Sequence, residues 1–485
     1  MVIRVLSVAS EMAPWIKTGG LADVVGALPT PLKSESVKMV ALLPFYGDIK
    51  ARLNKADMRV MSEYGDCFGG SAQLLKLNGI ENDVIFMDAP HLFGFCGNPY
   101  TLDDGTDRPD GDVRFAALSW MAAQVAAHGL SLDVNSRGLW FPDIIHTHDW
   151  QTGLVPHYCS QSHLKTPVLF TVHNAAFQGL TTFERSSKLR ISPEISSFDN
   201  GEFWGKLSFL KAGLNGANFL TTVSPSYAEE LKTAKFSYGL EGVFQRRSDS
   251  FSGILNGIDT SEWDPKKDLA IKPFNTPSGK LKNRKILLEK FGLGEAIGPI
   301  FGVISRLSHQ KGLDVLLDAL PVLHKHDARL ILIGSGDPEL EYRWRRAADT
   351  SEHVAAHIGF DEDLARLVYA GATSILLPSR FEPCGLSQLI GMRYGALPVV
   401  NSTGGLIDTV VHMSPMAERM GTATGYVMQQ LNSEMLGNAM GKIAELSKDK
   451  LRLEAMQQNA MQVRVDWSFS SKEYANLYKY LLQAS

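Results

Sequence analysis

The 485 residues, 44% hydrophobic and 21% charged, have the balance of a globular chain of about two to four domains, which excludes extended disorder and a disulfide-stapled miniprotein. A net charge of −4 argues against a general affinity for nucleic acid, and no apolar run reaches the roughly 18 residues of a membrane span. Four cysteines, Cys67, Cys96, Cys159 and Cys384, stand far apart with no CxxC spacing, which disfavours a zinc site or redox pair and points to a reducing, cytoplasmic compartment.

The N-terminal run VIRVLSV (2–8) reads as a first strand and not as a signal peptide. VKMVALLP (37–44) and DVIFMDAP (83–90) read as further buried strands, followed by a helix over 113–128. PDIIHTH (142–148), PVLFTVH (167–173) and ANFLTTVS (217–224) continue the pattern. Apolar runs without strict alternation suit a sheet covered on both faces, and their alternation with helices predicts an α/β fold. The rhythm breaks at 259–285, which holds three prolines and many polar residues and reads as a connector. It restarts with strands over 298–306, 328–336, 352–360, 373–380 and 396–402, and helices over 311–324, 338–349, 361–371 and 383–394. From about Leu451 the chain reads as helical, with Trp467–Ser468 as an interruption. The expected organisation is two tandem doubly wound domains, Rossmann-like, at 1–258 and 286–465. A final helix in 466–485 is expected to pack back on the first. Ligands of such sheets bind beyond the carboxyl ends of the strands, so two domains facing each other would hold one in the cleft between them.

The informative motifs fall at strand ends. In KTGGLADVVGALP (17–29), Gly19 and Gly20 let backbone N–H groups approach a ligand. A helix opening near Leu21–Asp23 favours an anion there, and Lys17 adds a positive charge; a tight turn with a solvated lysine explains the same residues. In HTHDWQTGL (146–154), Asp149 is a candidate acceptor for sugar hydroxyls and equally a helix cap. In TVHNAAFQG (171–179), His173 is a candidate for a leaving group or hydroxyl, or a structural histidine. Arg306 and Lys311 in SRLSHQKGLDVLL suit a diphosphate, although no P-loop spacing is present. In SRFEPCGLSQLIGMRYG (379–395), Glu382 precedes Pro383, which is placed for a first helical turn, and Cys384 has no base at a recognisable spacing. NSTGGLIDTV (401–410) supplies another Gly-Gly turn. No metal-ligand spacing appears, and His91, His146, His148 and His157 read as local hydrogen-bonding groups.

Cations for a diphosphate and carboxylates for hydroxyls suggest a nucleotide-sugar enzyme. KTGGLADVVGALP, HTHDWQTGL, TVHNAAFQG, TTVSP, ILNGID, SRLSHQKGLD, PSRFEPCGLSQL and STGGLIDTV, in this order from about Val5 to about Trp467, closely resemble the bacterial glycogen synthase and plant starch synthase family. The resemblance implies a GT-B glycosyltransferase that moves glucose from ADP-glucose to the non-reducing end of an α-1,4-glucan such as glycogen, with retention and without a metal or other cofactor. By match, Lys17, Arg306 and Lys311 handle the diphosphate, Asp149, His173 and Glu382 lie at the glucose, and Asn256 belongs to the same site. The donor-binding set extends to Gly19, Gly20, Cys384, Gly385, Leu386, Thr403, Gly404 and Gly405, with Phe360 stacking on adenine. Tyr100 and Asp23 fall on the acceptor or glucose side. Three positions depart from the family's pattern: Ile390 stands where related enzymes carry a ribose-binding Glu, Ser402 where Arg is common, and Arg108 where Trp is common. The alternatives are a retaining enzyme using UDP-glucose or a short acceptor, and a catalytically silent glucan-binding protein. The second would be expected to lack one of Lys17, Arg306, Lys311 and Glu382.

Overall fold

The computed structural model describes residues 2–53, 57–79, 84–102, 104–132 and 138–484. The chain divides into two compact units, Met1–Asn256 with Trp467–Ser485, and Gly257–Asp466.

The first unit is built on nine strands: β1 (Ile3–Val8), β2 (Val37–Pro44), β3 (Met58–Tyr64), β4 (Ala72–Leu77), β5 (Val84–Asp88), β6 (Ile144–His148), β7 (Val168–Val172), β11 (Phe219–Thr222) and β12 (Phe251–Gly253). Three short strands, β8 (Leu180–Thr181), β9 (Glu202–Phe203) and β10 (Lys206–Ser208), form a separate antiparallel sheet. The large sheet has the order β12-β11-β7-β6-β1-β2-β5-β4-β3. Its strands are parallel except at the β3–β4–β5 edge. The central strands are apolar and covered on both faces: Val5, Leu6, Val8, Ile144, Ile145, Leu169 and Phe170 are fully buried. The helix Ser468–Ala484 belongs to this unit, and its Tyr474, Ala475, Tyr478 and Leu481 pack with Val5, Val24, Leu28, Ile144 and Leu169.

The second unit carries an all-parallel sheet of β13 (Ile300–Ile304), β14 (Arg329–Gly334), β15 (Val354–Ile358), β16 (Ser374–Leu377), β17 (Leu397–Asn401) and β18 (Tyr426–Met428), in the order β15-β14-β13-β16-β17-β18. Apolar side chains on its two faces form two clusters, one around Ile331, Ile375 and Val400 and one around Val303, Leu330 and Leu332.

In both sheets the strand order reverses at the centre, between β1 and β6 in the first unit, whose β5-β4-β3 edge turns back once more, and between β13 and β16 in the second. Such a reversal opens a crevice at the carboxyl ends of the two strands, because their following connections diverge to opposite faces. Asp149 follows β6, and Lys17 lies in the loop after β1; Arg306 follows β13, and Glu382 lies in the loop after β16.

Several expectations need correction. The stretch 259–285 is not a connector but part of the second unit. Its Ile271 and Phe274 are buried in the core, Lys272 N–H donates to Asn283 Oδ1 at 2.8 Å, and Asp268 accepts the Tyr394 hydroxyl at 2.5 Å. Up to Thr276 its prolines and polar residues shape a loop that packs through a few large side chains, and from Lys280 it is the first turns of the helix Lys280–Lys290. The helix expected over 311–324 is two, Leu313–Ala319 and Pro321–Lys325, because Pro321 opens a new one. The helix expected from 383 begins at Ser387, so Pro383 lies in the preceding loop. Asp83, the first residue of one expected strand, lies outside the described residues. Among the described residues no helix is long and apolar enough to cross a membrane.

Candidate active site

In the first unit the loop after β1 runs through Lys17 to the helix Gly20–Ala27. Its anchor is Glu11, which is 3% exposed. The Glu11 carboxylate accepts Thr18 N–H at 2.5 Å, Thr18 Oγ1–H at 2.8 Å and the Tyr100 hydroxyl at 2.6 Å. Burial raises its affinity for a proton, against the pull of these donors. The Tyr100 hydroxyl, expected on the sugar side, is thus engaged inside the protein, with Glu11 and with Ser10 Oγ at 2.8 Å. A Cβ at Gly19 would meet nothing within 4 Å; no packing demands a glycine here, and the space above it is open for a ligand. Lys17 Nζ pairs with Asp23 at 2.6 Å. Both side chains are well exposed, so the pair contributes little to stability and can open to another anion.

Asp149 and His173 end adjacent strands and meet. Asp149 is a non-glycine residue at φ 56, ψ −176. This conformation costs on the order of 1–3 kcal/mol and is typical of functional sites. Its carboxylate caps no helix; it accepts His173 N–H at 2.6 Å and Asn174 N–H at 3.3 Å. Burial, with a smaller contribution from nearby Glu11, pushes its pKa up to about 7. The His173 side chain is buried and its pKa falls to about 3, because desolvation penalises the imidazolium. Its Nε2 lies 3.0 Å from His148 Nδ1, and His148 Nε2 lies 3.1 Å from Ser7 Oγ. His146 and His148, expected as scattered local groups, are therefore part of one buried cluster with His173. His91 and His157 also bond beyond their own segments, to Cys67 O 24 residues away and to Ser192 N–H 35 residues away. Asn256 has a buried amide oxygen without a hydrogen-bond partner among the described residues, a deficit that a ligand donor would satisfy.

In the second unit Lys311 Nζ lies 2.6 Å from Glu382 Oε2, and Ser379 Oγ–H donates to the same oxygen at 2.8 Å. The Glu382 side chain is 8% exposed and that of Lys311 20%. A cavity in this unit is lined by Ser305, Lys311, Ser379, Glu382, Gly385 and Ser387, among others. Arg306 stands exposed after β13, and Phe360 is 75% exposed after β15. Gly385 has φ +76, which lets the loop turn sharply into the helix at Ser387. The amide of Gln388 braces this turn by donating to Cys384 O and Gly385 O, both at 3.0 Å. The Thr403–Gly405 turn docks on the same loop, with Gly405 N–H reaching Glu382 O at 3.1 Å. A Cβ at Gly405 would stand 2.5 Å from Cys384 backbone atoms, so only glycine allows this approach. Glu382, Cys384, Gly385, Leu386, Thr403, Gly404 and Gly405 thus belong to one local assembly. Cys384 is buried at 4% exposure, which does not suit a nucleophile. Ile390 is a core residue at 7% exposure and presents no carboxylate.

Sequence reasoning missed Glu11, Ser379 and Gln388, and read His148 as a local group. Ser379 and Gln388 lie within a quoted motif and Glu11 six residues before the first, but the Tyr100 partner of Glu11 is 89 residues away and the bonds of the other two have no recognisable spacing. Among the described residues no group of three or more His, Cys, Asp or Glu side chains could hold a metal ion.

The family model for the starch synthase catalytic domain matches residues 4–246, and that for glycosyl transferases group 1 matches 298–445. A glycogen synthase of Jannaschia sp. (strain CCS1) is 45% identical over 476 residues, 98% of each chain. One from Rhodopseudomonas palustris (strain HaA2) is 44% identical over 488 residues, 99% of each. Among solved structures, the catalytic domain of starch synthase IV from Arabidopsis thaliana, bound to ADP and acarbose, superposes with a TM-score of 0.86 at 28% identity, covering all of both chains. Matched end to end by such relatives and by this fold, the chain belongs to the glycogen and starch synthase family of GT-B glycosyltransferases.

Proposed function

We propose that this chain transfers glucose from ADP-glucose to the 4-hydroxyl at the non-reducing end of an α-1,4-glucan, with retention of configuration, elongating glycogen and releasing ADP. The observation that carries the reading is the cluster in which Lys311, from the connection after β13, meets Ser379 and Glu382, from the loop after β16, in the same unit as the exposed Arg306. As the bond from the anomeric carbon to the diphosphate breaks, negative charge grows on the leaving group and positive charge on the sugar. Lysine and arginine stabilise the first, and a buried carboxylate stabilises the second, each more strongly in the transition state than in the bound donor. Lys17, Asp149, His173 and Asn256 lie in the first unit, and Arg306, Lys311 and Glu382 in the second. The ADP bound to the Arabidopsis relative supports an adenine nucleotide donor.

In this reading Lys17, Arg306 and Lys311 supply the positive charge that other transferases take from a metal ion. Activity is expected to survive excess EDTA, and kcat/KM is expected to be higher for ADP-glucose than for UDP-glucose with glycogen as acceptor. Loss of activity in EDTA with recovery on adding magnesium would overturn the metal-free reading. A preference for UDP-glucose would overturn the donor assignment.

A further inference from the structure

We propose that His148 is a positioning residue that, anchored on Ser7, fixes the orientation and tautomer of His173 toward the sugar of the donor. The inference rests on the reading of His173 as a sugar-contacting residue and adds to it the group that holds His173 in place.

The placement follows from strand register. β1 and β7 flank β6 in the sheet, and His148 is the last residue of β6, paired with Thr171 of β7. Ser7 lies on β1 opposite His146. His173 follows β7 directly. Three side chains from three neighbouring strands are thereby brought into line, Ser7 Oγ to His148 Nε2 at 3.1 Å and His148 Nδ1 to His173 Nε2 at 3.0 Å. The His148 side chain is 1% exposed.

The line is held from one side by His146, whose ring lies 4.2 Å from that of His148, centroid to centroid. His146 is itself fixed by the Tyr478 hydroxyl at 2.8 Å and Thr171 Oγ1 at 2.7 Å. On the other side the Asp149 carboxylate holds the backbone of His173, with Glu11 nearby. Burial keeps His146, His148 and His173 neutral. A neutral imidazole carries one N–H, so a single proton lies between His148 Nδ1 and His173 Nε2, and the tautomer of each ring sets that of the other. The remaining ring nitrogen of His173, Nδ1, has no protein partner among the described residues. It is the atom left to meet a sugar hydroxyl, and its role as donor or acceptor is set through His148. Partners of this kind, one bond removed from the ligand, typically change affinity or activity by about 10–100-fold when lost at metal sites, and the same orienting logic applies here.

The test compares His148→Asn with His148→Gln in the full chain. Asn places its amide near the position of Nδ1, facing His173; Gln places it near Nε2, facing Ser7. Both bury a neutral amide, so desolvation changes alike, and Asn, the smaller, leaves the larger void, so a greater loss in the Gln variant is not a packing effect. The Asn variant is expected to keep kcat/KM for ADP-glucose within about tenfold of wild type, and the Gln variant to lose about 10²-fold. Calorimetry with ADP, which lacks the sugar, is expected to give the same Kd for both variants and wild type. A Gln variant as active as the Asn variant, or an ADP affinity that falls in parallel with activity, would overturn the proposal. His173→Ala separates the two levels. Wild-type activity in that variant would overturn the reading of His173 and the proposal with it, whereas its inactivity beside a fully active His148→Gln would overturn the positioning role alone.

Discussion

Lys311→Ala is expected to lower kcat by about 10²–10³-fold while leaving the KM for glucan nearly unchanged, the scale seen when one preorganised charge stabiliser is removed. Lys311 Nζ is 2.6 Å from a carboxylate whose side chain is 8% exposed. Removing the lysine therefore deletes the cation proposed for the leaving diphosphate and leaves Glu382 buried with Ser379 as its remaining partner. The second consequence is a stability effect, so thermal unfolding of the variant must be measured beside its kinetics. Lys311→Arg keeps the charge with a longer reach and is expected to recover part of kcat. A purified, folded Lys311→Ala protein with wild-type kcat would remove Lys311 from the mechanism.

Asp149→Asn is expected to separate activity from stability. Burial pushes the pKa of the Asp149 carboxyl up to about 7 in the folded chain, well above the ordinary carboxylate range. A folded-state pKa above the unfolded value means that the native chain binds the proton more tightly. The stability this contributes is complete below about pH 4 and is lost as the pH rises to about 7; above that the full cost of the buried charge is borne. An amide carries no such charge, and its oxygen can still accept the N–H of His173. The variant is therefore expected to be more stable than wild type by about 2–4 kcal/mol at pH 8, less at pH 6, with the gain levelling off above pH 7. Its activity is expected to fall by about 10²-fold or more, since an ionised group at the sugar is replaced by a neutral one. Unfolding midpoints in urea at pH 6 and pH 8 decide the stability claim; a gain that does not grow with pH contradicts it.

What the sequence made legible was governed by local rules. Fully buried stretches such as 39–44 and 84–87 are continuous apolar runs, and turns that approach a ligand carry Gly-Gly pairs, so the α/β class, the central strands and the motif loops are legible in the sequence alone. The β3 edge strand could not, because its side chains are half exposed and polar residues interrupt it. Two- and three-residue strands such as β9 and β12 carry no period at all. The stretch 259–285 looked like a connector because its contribution to the core comes from isolated residues such as Ile271 and Phe274. In the site, Lys311 and Glu382 were nominated separately by motif, but their pairing spans 71 residues. The bonds of Glu11 to Tyr100 and of His148 to Ser7 cross 89 and 141 residues. Such partners meet only through strand order, which spacing along the chain does not encode.

Whether this chain builds an α-1,4-glucan from ADP-glucose with retention is read directly by proton NMR of the purified protein incubated with ADP-glucose and a maltooligosaccharide acceptor. New anomeric signals of α-1,4-linked glucose are expected in step with release of ADP, one linkage per ADP. A β-linked product, free glucose as the sole sugar released, or ADP-glucose left intact beside the acceptor would contradict this reading.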